Sequence, residues 1–328
     1  MLGYAIRRLL WVVPVVLGAS IVAFTIMHVA PGSPWNREGR ALDPAIIARL
    51  NEELGLDQPL PMQYLAWLGH LLRGDFGVST STFGGDVNAM IIYSLGPTLL
   101  LCGLAFGVAV LIGVPLGLAA ALWHRRPVGH LATGLSLVGM AAPAFALAAL
   151  LQLVVAAPRF GTGGMFGLAP SPFPHAGLDS PWALVLPTLA MAALPLAQIA
   201  RHTKASVLEV IHSDYIRTAH SKGLHEDQIV RLHLLRNAAI PLLTISGTVL
   251  ALLITGSIVV ERVFEIPGLG NLYFWAIRGR DYTTLMGITV IYALAVAVAN
   301  AVVDIAYGVV DPRVRDGYLT PAEEASGG

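Results

Sequence analysis

The chain has 328 residues, 55% hydrophobic and only 12% charged, with a net charge of zero and a mean hydropathy of +0.70. A soluble domain carries about 25% charged residues, so water is not the only solvent of this chain, and a balanced charge without basic clusters argues against a nucleic-acid partner. The single cysteine, Cys102, excludes an intrachain disulfide and a cysteine-based metal site, and its apolar neighbours mark it as a small buried residue.

A helix needs about 20 apolar residues to cross a bilayer, and in lipid each segment must satisfy its own backbone, so long apolar runs become helices. Leu9–Ala30 is the first such run, preceded by Arg7 and Arg8. The uncharged stretch continues to Asn36, longer than the roughly 7–15 residues of a signal-peptide core, and predicts a retained helix. The segment 31–96 opens on Pro31-Gly32-Ser33-Pro34 and shows helical patterning at Pro44–Leu54 and Pro61–Leu72, which predicts a small external helical subdomain. The second span is Pro97–Trp123 and the third Leu131–Ala157, joined by a short loop holding Arg125 and Arg126. Pro158–Ser180 is rich in Gly and Pro and reads as an irregular external loop. Pro181–Ala200, Ala238–Val260 and Tyr282–Val303 complete six spans, none containing Asp, Glu, Lys or Arg. The polar tail Gly317–Gly328 is expected to be disordered.

Basic residues in short loops set the orientation. Arg7, Arg8, Arg125, Arg126, Arg313 and Arg315 fall on one side of a six-span chain, as do Lys204 and Lys222. That side is expected to be the cytoplasm, with both termini inside. Arg278 and Arg280 go against this trend. The expected organisation is therefore 1–30 as the cytoplasmic end and first span, 31–96 as the external segment, 97–310 as a five-span core with cytoplasmic helices at 203–237, and 311–328 as a cytoplasmic tail.

Within 203–237, Leu208, Ile211, Tyr215, Thr218 and Ala219 fall on one helical face. Gly223 ends that helix. Glu226 and Asp227 then open a second, where acidic groups suit the helix dipole, and Pro241 starts the next span, where a missing N–H costs little. Pattern alone leaves two readings, an amphipathic connector in the headgroup layer or a knob offered to a partner below the membrane.

The run Asp214-Tyr215-Ile216-Arg217-Thr218-Ala219-His220-Ser221-Lys222-Gly223-Leu224 resembles the coupling-loop motif of ABC-importer permeases, in the form of the dipeptide/oligopeptide/nickel family. Arg217-Thr218-Ala219 occupies the place of Glu-Ala-Ala, and Gly223 that of the motif's glycine. Arg236-Asn237-Ala238-Ala239-Ile240-Pro241, Leu54-Gly55-Leu56-Asp57-Gln58-Pro59-Leu60 and Arg73-Gly74-Asp75-Phe76-Gly77 are similar to other parts of that family. So are Val259-Val260-Glu261-Arg262-Val263-Phe264 with Pro267-Gly268-Leu269-Gly270, and Asn300, Asp304 and Tyr307 with Asp311-Pro312-Arg313-Val314-Arg315. Many members have Asp where Ser33 stands.

The long external segment resembles the B-type subunit. The resemblance implies an all-α membrane protein with the type I ABC importer permease fold, in the bacterial inner membrane. It implies a heterodimer with a C-type permease, two ATPase subunits that use ATP and Mg, and an extracytoplasmic binding protein. It also implies that Asp214, Tyr215, Ile216, Arg217, Thr218, Ala219, Lys222, Gly223 and Leu224 couple to an ATPase, with Tyr215, Ile216 and Leu224 as apolar anchors. Glu261 and Phe264 are candidates for an external gate or a binding-protein contact. The expected cargo is a peptide, with nickel chelates or glutathione as alternatives.

Other functions lack their residues. Lys204 stands in His-Thr-Lys-Ala and Lys222 in His-Ser-Lys-Gly, so neither belongs to a P-loop, and His-Glu-x-x-His is absent. Neither a catalytic residue nor a metal ligand is assigned, and no cofactor is expected on this chain. Ser136 in Gly-Leu-Ser-Leu faintly echoes a nucleophile, but a base would have to come from another span, and the sixth span has no His; a packing role is expected. A secondary transporter is the stronger rival and would need ionisable groups near the midplane. His28, Asp304 and Glu261 lie instead towards span ends, where interfacial or structural roles are expected.

Overall fold

The computed structural model describes residues 2–29, 43–53, 55–80, 85–141, 143–156, 177–211, 213–230 and 234–310. The Pro31–Pro34 turn, most of the loop before Ser180 and the tail from Asp311 lie outside the described residues. The first helices, α1 (Leu2–Leu10) and α2 (Val12–Val29), form one membrane-length unit. Two helices follow within 31–96, α3 (Pro44–Glu53) and α4 (Leu60–Leu71), where helical patterning is expected. Next come α5 (Val87–Leu122), α6 (Pro127–Ala141), α7 (Ala144–Leu151) with a π turn at Gln152–Ala156, and α8 (Val185–Val210). The short pair α9 (Asp214–Ser221) and α10 (Glu226–Ile229) precedes α11 (Leu235–Val263), α12 (Leu269–Arg278) and α13 (Tyr282–Val310).

Five described stretches are long and apolar enough to cross a membrane, 5–29, 87–122, 181–210, 241–263 and 282–308. The expected third span, Leu131–Ala157, is not one helix. Proline lacks an N–H and disfavours helical backbone at the residue before it, and Pro143, with φ −58° and ψ 136°, separates α6 from α7. Both halves pack along α8, so six apolar stretches become five continuous spans and one broken pair.

The seam at the centre is built from small residues. On α5, Ala105, Ala109, Gly113, Gly117 and Ala121 recur every fourth position and are all buried. A Cβ at Gly117 would stand 2.4 Å from the Ala200 carbonyl oxygen of α8, and one at Gly113 would stand 2.9 Å from that of Leu196. Apolar attraction does not sort helices in lipid, so close backbone approach through small residues does. The main core joins α5, α7, α8, α11, α12 and α13 through residues such as Leu101, Leu186, Leu253 and Ile288.

Polar contacts fasten the outer helices. Tyr64 of α4 shares a hydrogen bond of 2.9 Å with Ser20 of α2, and His28 sits 3.1 Å from Gln63 through Nε2 and 2.8 Å from the Phe24 carbonyl through Nδ1. Nδ1 thus holds the ring against its own helix, and Nε2 is the nitrogen that reaches α4. Arg8 pairs with Asp304 at 2.8 Å, tying the first helix to the last. Ser136 donates to Ala132 of its own helix at 3.0 Å, a packing role.

Candidate functional site

The run 214–224 folds as α9 and the turn after it, at the end of the molecule where α5 stops and α11 starts. Asp214 stands in the first turn of α9, where a negative charge suits the dipole. The helix ends in a Schellman turn. Gly223 N–H donates to His220 O at 2.9 Å, Leu224 N–H donates to Ala219 O at 3.3 Å, and Gly223 takes φ +74°. Gly223 is therefore placed by its backbone, since nothing lies within 4 Å of a Cβ built there.

The buried face of α9 differs from the one the periodicity predicts. Ile216 and Ala219, 1% and 4% exposed, pack with Ala121, Val207, Ile229 and Leu234 inside the chain. Tyr215 and Thr218 point outward instead. The cause is Ser213, whose extended backbone (φ −69°, ψ 154°) separates α8 from α9 and resets the helical phase. Ile216 is therefore not available as an anchor in a partner; it fastens α9 to its own spans, and Leu224 lies half-buried against the same cluster. Asp214, Tyr215, Arg217, Thr218, Lys222 and Gly223 form the exposed edge. The Arg217–Asp214 pair, at 3.4 Å and fully in solvent, adds little to stability.

At the opposite end, Glu261 is completely buried near the end of α11. Its carboxylate accepts from Thr98 Oγ1 of α5 at 2.8 Å, from Gly270 N–H at 2.7 Å and from Asn271 N–H at 3.2 Å. It thereby caps the first turn of α12, where free N–H groups and the dipole favour an anion. Thr98 Oγ1 also accepts from Leu269 N–H at 2.8 Å. The glycines of Pro267-Gly268-Leu269-Gly270 make the room: a Cβ at Gly268 would meet Glu261 Oε2 at 2.3 Å, and one at Gly270 would meet Ile258 Cα at 2.4 Å. Phe264, 1% exposed, closes the same core. Glu261 and Phe264 thus present no surface to a binding protein in this conformation. Arg262 lies over the Phe274 and Trp275 rings, 4.9 and 5.0 Å from their centroids.

Two family models match the chain. The binding-protein-dependent transport system inner membrane component covers residues 113–316, and the N-terminal component of the same kind of system covers 1–84. The chain belongs to this family. The permease is 38% identical over 324 residues to the oligopeptide transport system permease protein AppB of Bacillus subtilis, covering 96% of this chain and 100% of that protein. It is 36% identical over 316 residues to the glutathione transport system permease protein GsiC of Salmonella typhimurium, covering 96% and 99%. In fold it matches a chain of the MetNI methionine ABC transporter solved in inward-facing conformations, with a TM-score of 0.54 and 20% identity, over 68% of this chain and 96% of that one.

Sequence reasoning missed two residues of the permease. Thr98 is 163 positions from Glu261, and no local pattern joins them. Asp281, 2% exposed, accepts from Ser79 Oγ at 2.5 Å, from Thr80 N–H and Oγ1 at 3.1 Å each, and from Thr284 N–H and Oγ1 at 3.2 and 2.8 Å. It caps α13 and binds the 31–96 segment to it. An Asp immediately before a long apolar helical run, as Asp281 stands before Tyr282, is a legible N-cap signal. In the same segment Asp75 is held below its ordinary value, first by the Gly77 N–H and then by His70, which lie 2.8 and 3.1 Å from its oxygens.

Proposed function

We propose that this permease is the B-type half of a heterodimeric translocation pathway for oligopeptides, driven by two ATPase subunits and fed by an extracytoplasmic binding protein. Both termini and the 203–237 segment lie in the cytoplasm, and the 31–96 segment lies outside. The observation that carries the coupling role is the built knob at 214–224, held from within by Ile216 and Ala219 and turned by Gly223, with its polar edge free for a partner. Tyr215 supplies the apolar contact on that edge, 43% exposed, while Arg217 and Lys222 supply charge.

Because α9 is packed against α5 and α8, a push on the knob is delivered to the spans as a rigid-body movement. ATP with Mg closes the ATPase pair, both permeases tilt, and the pathway changes sides; hydrolysis on the partner subunits resets it. This chain performs no covalent chemistry. The peptide assignment is supported by AppB, matched over its whole length. GsiC at 36% supports a second reading, glutathione, itself a tripeptide.

The test is purification of the complex from membranes through a tag on this chain, followed by ATP-dependent uptake in liposomes with its binding protein. Uptake of labelled oligopeptides, with a second permease and ATPases in the preparation, is the expected result. A chain recovered alone would overturn the coupling role, and uptake of glutathione without oligopeptides would select the second reading.

A further inference from the structure

Exposed side chains on a membrane span meet either hydrocarbon, a partner helix or an aqueous path, and their chemistry separates these. The exposed face of α5 is aliphatic, with Leu99, Leu100, Leu104, Leu111 and Ile112. The exposed face of α11 is mixed: Thr244, Thr248 and Thr255 recur along it at steps of four and seven residues, alongside Leu252 and Val259. A threonine survives in lipid by donating to its own helix, as Thr255 does to Ala251 O at 2.9 Å and Thr25 of α2 does to Ile21 O at 2.8 Å. Thr248 does not. Among the described residues its hydroxyl has no hydrogen-bond partner, although it lies about 10 Å inside the span that starts at Pro241, at about 1.5 Å per residue.

Beside it stands a stronger case. Asn300 of α13 is exposed about 12 Å inside the end of the apolar stretch Tyr282–Gly308, at about 1.5 Å per residue. Its carboxamide crosses to α11 at Gly247, where a Cβ would meet Asn300 Oδ1 at 2.9 Å. Gly247 adjoins Thr248 and lies one turn from Thr244. An amide has two donors and a two-lone-pair acceptor, and Asn300 has no hydrogen-bond partner among the described residues. Hydrocarbon offers none.

We propose that Asn300 and Thr248 line the solute pathway and supply exchangeable hydrogen bonds to the backbone amides and carbonyls of a passing peptide. This deepens the permease reading and rests on it. Unpaired neutral groups suit a conduit, because they hold any peptide bond briefly and none by charge. The groove beside Gly247 leaves the carboxamide at the surface.

The test is thiol accessibility in the native complex. Cys102 is buried, 4% exposed, so the native chain gives a low background. Asn300→Cys and Thr248→Cys, with Leu104→Cys as the lipid-facing control, are treated with a charged, membrane-impermeant thiol reagent in sealed vesicles of both orientations. The expected result is at least tenfold faster reaction at positions 300 and 248 than at 104, slowed by oligopeptide on the accessible side. Reaction only with a lipid-soluble maleimide would overturn the proposal by placing the face in lipid. A disulfide or short cross-link to the second permease, without reaction with the charged reagent, would overturn it by placing the face in the subunit interface. A complex that reacts at both positions with the charged reagent yet imports no peptide leaves the lining standing and overturns the peptide reading alone.

Discussion

Glu261 shows how one buried carboxylate organises a helix end. Three donors converge on it from α5 and α12, and Gly268 and Gly270 leave space for it. Glu261→Ala strands those donors, so the thermal midpoint of the detergent-solubilised complex should fall, corresponding to about 3 kcal/mol; Glu261→Gln, which restores one acceptor, should fall between. Gly223 makes its case through φ alone. A β-branched residue at φ +74° costs about 1–2 kcal/mol, enough to redraw a one-turn knob. Gly223→Val is expected to insert normally but lose ATP-driven uptake, and Gly223→Asn, tolerant of that conformation, to retain most of it; normal uptake by the valine variant would refute the turn's role. Asp75 gives a pH signature. Its carboxyl is depressed by Gly77 N–H and His70, so its contribution is present above the ordinary carboxylate value and lost as pH falls through the depressed one. Protection of the Gly77 amide, taken relative to its intrinsic exchange rate at each pH, should fall in acid, and Asp75→Asn should remove that dependence.

At the scale of elements, α5 and α8 meet backbone to backbone. A side chain at Gly117 has nowhere to go, with Ala200 O at 2.4 Å and Thr203 Cβ at 2.6 Å from its Cβ. Overpacking of this kind costs about 1–3 kcal/mol or more. Gly117→Val should therefore lower both yield and thermal midpoint, whereas Gly107→Val on the same helix, with nothing within 4 Å, should leave both unchanged. The α8–α9 junction teaches a second lesson. The run 208–219 carries a plausible single helical period, yet Ser213 breaks it, and Ile216 rather than Tyr215 turns inward. Helical phase survives only as long as the helix does.

For the whole molecule, orientation is the property still to be measured. Gly3→Cys and Lys222→Cys should react with impermeant reagents only from the cytoplasmic side, and Met62→Cys only from outside; all three positions are exposed. Reaction of positions 3 and 62 from one side would contradict the first span and with it the placement of the knob.

The sequence by itself determined the membrane class, the apolar stretches, the helices of the 31–96 segment and the glycine turn after α9. Each follows from local chemistry, because run length, helical patterning and backbone freedom at Gly223 do not depend on distant neighbours. Only the tertiary structure decided which faces are inside. On α5 the apolar residues run all round the helix, so polarity, which marks the core of a water-soluble protein, carries no such information in lipid; size does, and Ala105, Gly113 and Gly117 are recognisable as a seam once α8 lies on them. Likewise Glu261 reads as an interfacial acid until Thr98, 163 residues away, is brought beside it. A buried polar group is explained by its partners, and those partners meet only when the chain has folded.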